Sequence, residues 1–122
     1  LRRLDPNEPY YVGYRMKPHL AKGYNSGGAG YILSRKALAL YARNAFNNTK
    51  ICPDHTDEDV GIGRCLANLG IYPEPTINEK GQQRFNAYNP RLTLDGWEGN
   101  EVWIKDPLTT GFNGIARDLI SF

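Results

Sequence analysis

Between Lys22 and Tyr31 stand four glycines, with Asn25 and Ser26 among them, and the stretch runs straight into a helix-start signal at Ser34. Glycine adopts positive φ at little cost and lets the backbone approach another surface closely, so this segment is predicted to be a loop. Ser34 can cap the following helix, where Ala37, Leu38, Tyr41 and Ala45 recur at helical spacing and give one apolar stripe to about Phe46. Upstream, the turn-forming Asp5-Pro6-Asn7-Glu8-Pro9 precedes Tyr10-Tyr11-Val12-Gly13-Tyr14, which is β-prone and predicts a strand leaving a loop. Downstream, Pro53 breaks the chain, and Thr56-Asp57-Glu58-Asp59 has the form of a capping box opening a second helix. Val60, Ile62, Cys65, Leu66 and Leu69 supply that helix's buried side, and Gly70 sits where a helix stop belongs. Beyond Tyr72, Pro73, Pro75, Pro90 and Pro107 with Gly81, Gly96, Gly99, Gly111 and Gly114 cut the chain into short strands and long loops. The predicted fold class is α/β: a mixed sheet with two main helices and long loops of the kind that carry binding roles.

The length of 122 residues suits one domain, and 40% hydrophobic content is enough for a modest core. Fifteen basic against thirteen acidic residues leave net +2, far from the footprint of a nucleic-acid binder, so no nucleic-acid partner is expected. No run reaches the roughly 20 apolar residues that span a bilayer, and Leu1-Arg2-Arg3-Leu4 does not lead into a signal-peptide core. The chain starts on Leu1 without Met and stops on the β-prone Leu119-Ile120-Ser121-Phe122, which reads as a piece of a longer protein. Cys52 and Cys65 do not form a zinc pattern. A short loop leads from Cys52 to the second helix, and Cys65 faces back along its second turn, which predicts a disulfide; a plain buried cysteine at Cys65 is the alternative. The sequon Asn47-Asn48-Thr49 makes Asn47 a candidate glycosylation site and fits a secretory-pathway protein.

Three features carry chemistry. Ser26-Gly27-Gly28-Ala29-Gly30-Tyr31 could cradle an anion, since free backbone N–H groups before a helix favour one, although a tight turn explains the same string. It has neither a P-loop nor a dinucleotide-binding order. Asp54, Asp57, Glu58 and Asp59 crowd a helix start beside His55, where one carboxylate could abstract a proton or hold a metal; helix capping explains Asp57 and Glu58 equally well. Asp57-Glu58-Asp59 spells the Asp-x-Asp pair that holds a divalent cation in many glycosyltransferases. That pair normally ends a hydrophobic strand, whereas this one opens a helix, so no metal ligand is assigned. Finally, Tyr88, Trp97, Trp103 and Phe112 alternate with polar residues, which suits sugar rings or, equally, a small core.

Taken in order, these residues resemble the core 1 β1,3-galactosyltransferase branch of glycosyltransferase family 31. The likeness is greatest over Asp5 to Ala39, including Asp5-Pro6-Asn7-Glu8-Pro9-Tyr10-Tyr11-Val12-Gly13-Tyr14 and Gly23-Tyr24-Asn25-Ser26-Gly27-Gly28-Ala29-Gly30-Tyr31. Glu58-Asp59-Val60-Gly61-Ile62-Gly63-Arg64-Cys65-Leu66 is similar to the family's Glu-Asp segment followed by Gly-Arg-Cys. Asp118 to Phe122 looks like the family's closing strand, after which a His would follow.

The resemblance implies that residues 1–122 are the acceptor and catalytic half of a GT-A type domain, its donor-binding half and metal-binding Asp-x-Asp pair lying upstream. The activity implied is transfer of galactose from UDP-galactose to O3 of a Ser/Thr-linked N-acetylgalactosamine on a glycopeptide acceptor, with inversion and Mn²⁺ held outside this piece. Asp59 maps onto the catalytic base. Gly27, Gly28, Ala29, Gly30 and Tyr31 would wall the site with Glu58, and Trp103 matches a family aromatic near the acceptor. A Golgi-lumenal type II membrane protein, anchored outside this piece, is implied, with a homodimer left open. The departures are Asn86, where the family commonly has His, and the absence of late cysteines between Trp103 and Asp118. The piece alone is expected to be inactive. A fringe or chondroitin-type transferase, or an inactive lectin-like or chaperone-like relative, is the alternative.

Overall fold

The computed structural model describes residues 3–87, 116–118 and 120. Its elements are β1 (Tyr11–Gly13), β2 (Arg15–Met16), β3 (Tyr24–Asn25), a 3₁₀ turn (Gly27–Ala29), β4 (Tyr31–Leu33), α1 (Arg35–Leu40), a π-helical segment (Tyr41–Ala45), α2 (Glu58–Asn68) and β5 (Pro73–Glu74). A three-stranded sheet has the order β4-β1-β5, with β1 antiparallel to β4 and parallel to β5. The parallel pairing needs a crossover, and the chain between β1 and β5 supplies it with both helices. Pro73 lacks an N–H to donate, which an outer strand of the sheet tolerates. A second, two-stranded sheet pairs β2 with β3, Arg15 opposite Asn25. The mixed sheet, two helices and long connections match the α/β class expected.

Side chains alternate along β1, and both of its faces are covered. Val12 and Tyr14 join Met16, Tyr24, Ala29, Val60 and Phe85 in one core, while Tyr11 joins Ala37, Leu66 and Ile71 in another. Burying β1 on both sides fixes its register, because a slip of one residue would exchange the two sets.

Local signals set most boundaries. Ser34 Oγ accepts the Ala37 N–H at 3.1 Å and starts α1 as expected. The expected apolar stripe differs in two ways. α-helical geometry ends at Leu40 and gives way to the π-helical segment, and Leu38 is 55% exposed. Leu40 takes the place of Leu38 and packs on the core with Ala37 and the expected Tyr41, at the i+3 and i+4 positions that share the face of Ala37, and Ala45 is buried as expected. The predicted Lys22–Tyr31 loop resolves into a strand, a turn and the start of another strand. Gly23 and Gly30 hold the positive φ values, 79° and 69°. Gly70, at φ 77°, stops α2 as expected. The tail is not a strand where it is described: Ala116 N–H donates to Gln83 O and Ile120 N–H to Arg84 O around a turn, and Arg84 Nε meets Asp118 Oδ2 at 2.9 Å.

Cys52 and Cys65 are joined, with Cα atoms 4.6 Å apart, so the predicted disulfide forms and Cys65 is not a free buried thiol. It ties the loop before α2 to the second turn of that helix. Among the described residues no helix is long and apolar enough to cross a membrane.

Candidate functional site

The start of α2 departs from the sequence expectation in a way that builds the site. Thr56 and Asp59 do not form a capping box. Asp57 is the N-cap, its side chain makes no cap bond, and its N–H donates to His55 Nδ1 at 3.0 Å. Asp59 lies in the first turn but looks outward, because a stronger claim on its carboxylate comes from elsewhere. The 3₁₀ turn Gly27–Ala29 is capped by Ser26, whose Oγ accepts the Gly28 N–H at 3.2 Å, and the Gly27 N–H is left to point away. Asp59 Oδ2 accepts that N–H at 3.0 Å, and Oδ1 accepts the Val60 N–H at 2.8 Å. Next to it, the Tyr31 hydroxyl donates to Glu58 Oε1. The glycine-rich loop and the acidic helix start, remote in sequence, thus meet through two adjacent hydrogen bonds.

The remaining loop residues serve this junction unequally. Gly30 closes the turn, its N–H donating to Gly27 O at 3.0 Å. A side chain on Gly28 would lie 3.4 Å from the Ala87 carbonyl, so the loop also faces the segment after Phe85. Ala29 does not wall the site with its side chain: it is 4% exposed and packs in the core with Tyr24 and Val60, pinning the loop from beneath. Trp103 lies outside the described residues, as do Tyr88, Trp97 and Phe112.

A cleft of about 520 Å³ opens along this junction, lined by His19, Tyr24, Gly27 and the 56–60 segment. Neither His19 nor Tyr24 was given a site role from the sequence; Tyr24 stands in the glycine-containing stretch that carries the family likeness, and the pairing of β3 with β2 holds it beside α2. The phenols around the acidic wall are held protonated. Burial, then the charges of Asp59 and Asp57, push Tyr24 up to about 12. Tyr31 rises well above the usual tyrosine range through burial, its bond to Glu58 and the charges of Glu58 and Asp59. Tyr11, fully buried, is raised chiefly by burial, and its ring meets Tyr31 edge to face at 5.7 Å. The cleft wall therefore sets carboxylates that accept hydrogen bonds beside the Tyr24 phenol, which keeps its proton.

The described residues do not fit Mn²⁺. No group of three or more His, Cys, Asp or Glu is placed to share an ion. Asp59 spends a lone pair of each oxygen on a backbone N–H, and Glu58 is engaged by Tyr31. Hard cations want several free oxygen ligands together.

Over 106 residues the chain is 35% identical to glycoprotein-N-acetylgalactosamine 3-beta-galactosyltransferase 1 of Xenopus laevis. The chain is related to a galactosyltransferase. The match takes in 84% of this chain and 29% of that protein, so the chain spans less than a third of the relative's length. No family model matches it.

Proposed function

We propose that this chain is the acceptor and catalytic portion of an inverting β1,3-galactosyltransferase domain of the GT-A type, which moves galactose from UDP-galactose to O3 of a Ser/Thr-linked N-acetylgalactosamine. The observation that carries this reading is the Asp59 carboxylate, fixed on the cleft wall by Gly27 N–H and Val60 N–H. A carboxylate has about four lone-pair sites, so two bonds orient it and leave room to accept an acceptor hydroxyl. In a single inverting displacement, Asp59 takes that proton as the oxygen attacks the sugar carbon opposite the departing UDP. Glu58 and Tyr31 form the neighbouring wall, their mutual hydrogen bond holding the helix start against the loop. The relative's name, the sequence match and the disulfide agree with a protein of the oxidising secretory pathway, and a Golgi-lumenal location with an anchor elsewhere in the protein is part of the proposal. Mn²⁺, if the full-length enzyme uses it, is assigned to residues outside this chain.

The test is turnover by the full-length protein with UDP-galactose and an O-linked N-acetylgalactosamine peptide, for wild type and Asp59→Asn. The expected loss is about 10²-fold or more in kcat, with UDP binding and melting temperature nearly kept. Near-normal turnover would remove Asp59 from the mechanism and leave Glu58 or His55 as the base. A second reading is a fringe or chondroitin-type transferase, or an inactive lectin-like or chaperone-like relative. Asn86 favours it: the residue is 4% exposed and stands where the family resemblance leads one to expect His. Absence of any transfer, with carbohydrate binding retained, would select the inactive relative.

A further inference from the structure

We propose that Asn47 carries an N-linked glycan and that the ring of Phe46 supports its first sugar. Asn47-Asn48-Thr49 is the one Asn-x-Ser/Thr triplet in the chain, and the structure divides labour within it. Asn48 builds the turn: its N–H donates to Ala45 O at 3.0 Å, its carbonyl accepts the Cys52 N–H at 2.7 Å, and its side chain bonds Asn44 O and the Lys50 N–H. Asn47 does none of this. It is exposed, holds φ at 57°, and its amide has no hydrogen-bond partner among the described residues; Thr49 is exposed too. Phe46, immediately before it, is 62% exposed, above Leu38 at 55%, Tyr72 at 37% and Ile120 at 39%. An exposed phenyl ring offers a flat apolar face to the C–H groups of a pyranose, as aromatic rings do for other apolar surfaces. Among the described residues nothing covers it. Thr49 is also followed closely by Cys52, whose disulfide forms in the compartment where N-glycans are added. In the transfer, Asn47 Nδ2 bonds to C1 of a lipid-diphosphate-linked oligosaccharide, the C1–O bond breaks, the lipid diphosphate leaves with the electron pair, and the amide proton is lost. No redox step is involved, and no cleft residue enters, so the proposal is independent of the role of Asp59.

The test is site-specific peptide mass spectrometry on the full-length protein purified from a eukaryotic cell that expresses it. The expected result is glycan on the Asn47 peptide, lost in Thr49→Ala and kept in Thr49→Ser. An unmodified Asn47 peptide from protein whose Cys52–Cys65 bond is intact overturns the proposal. The Phe46 contact is read from melting temperatures of wild type, Asn47→Gln, Phe46→Ala and the double variant. Phe46→Ala keeps the glycan, and removing the glycan is expected to lower the melting temperature only when Phe46 is present. Strictly additive shifts overturn the contact between sugar and ring.

Discussion

Ser34 and Thr56 both precede helices, yet their hydroxyls do different work. Ser34 Oγ accepts the N–H groups of Ala37 at 3.1 Å and Tyr10 at 2.9 Å and donates to Glu8 O at 2.6 Å, so one hydroxyl joins α1 to the entry of β1. Thr56 is exposed, and α2 has Asp57 as its N-cap with no side-chain bond. Ser34→Ala is therefore expected to cost about 2 kcal/mol, roughly 1 for the cap and the rest for the other bonds. Thr56→Ala should stay within about 0.5 kcal/mol. Denaturant titrations of the two variants decide, and equal losses would contradict the assignment. Tyr24 gives a pH prediction. Its folded value of about 12 lies above the ordinary 10.0, so the native state holds the phenolic proton more tightly than the unfolded chain. That contribution to stability is complete below pH 10 and is lost as pH rises through about 12. The melting temperature should fall over that window, and fall less in Tyr24→Phe, with Tyr24 appearing late in an absorbance titration of tyrosinate. Identical pH profiles for the two proteins would refute the account.

At the scale of elements, α2 packs unusually close to β3 at one point. A Cβ on Gly63 would lie 2.6 Å from Tyr24 Cβ and 3.2 Å from Leu20 Cδ1, so the helix can sit this near the strand only with glycine there. Alanine is the better helix former by about 1 kcal/mol, but overpacking against backbone-attached atoms costs about 1–3 kcal/mol. Gly63→Ala should thus destabilise despite its propensity, whereas Gly61→Ala, facing only the exposed His55 at 3.2 Å, should be near neutral. Thermal melts of both variants check the sign, and a stabilised Gly63→Ala would mean that α2 does not sit against β3 in this way. The pair also shows which parts of the elements were legible. Ser34 and Gly70 could be read because capping and helix stopping are chemistry between residues a few positions apart. The reason for Gly63, the outward Leu38 and the failed capping box could not, since each depends on what a distant segment presents. Asp59 leaves the cap because Gly27, 32 positions earlier, offers it an N–H.

For the whole molecule, the same distinction applies to the candidate site. Local chemistry explained the glycine-rich string as a turn and the acidic string as a cap, and only likeness to a known family put them in one place. The fold joins them because Ala29 is buried with Tyr24 and Val60, which leaves Gly27 and Tyr31 facing the start of α2. The disulfide was legible by contrast, with a plain buried Cys65 as the alternative, since a short loop leads from Cys52 to α2 and Cys65 faces back along that helix. Its energetic role can be measured. By the chain-entropy model a loop of this size contributes on the order of 3 kcal/mol, chiefly by restricting the unfolded chain. For a body of this size, each kcal/mol moves the melting temperature by about 4–8 °C, so reduction should lower it by roughly 12–24 °C. Dithiothreitol should have no such effect on Cys52→Ala/Cys65→Ala, which should melt at or below the reduced wild type because Cys65 is 1% exposed and its truncation also empties core volume. If the bond acts mainly through the unfolded state, the folded reduced protein keeps the Asp59 contact to Gly27, and hydrogen exchange at the Gly27 N–H stays slow while amides from Cys52 to Asp57 exchange faster. Loss of protection at Gly27 on reduction would show instead that the disulfide holds the loop against the helix directly, and that the cleft depends on the redox state of its compartment.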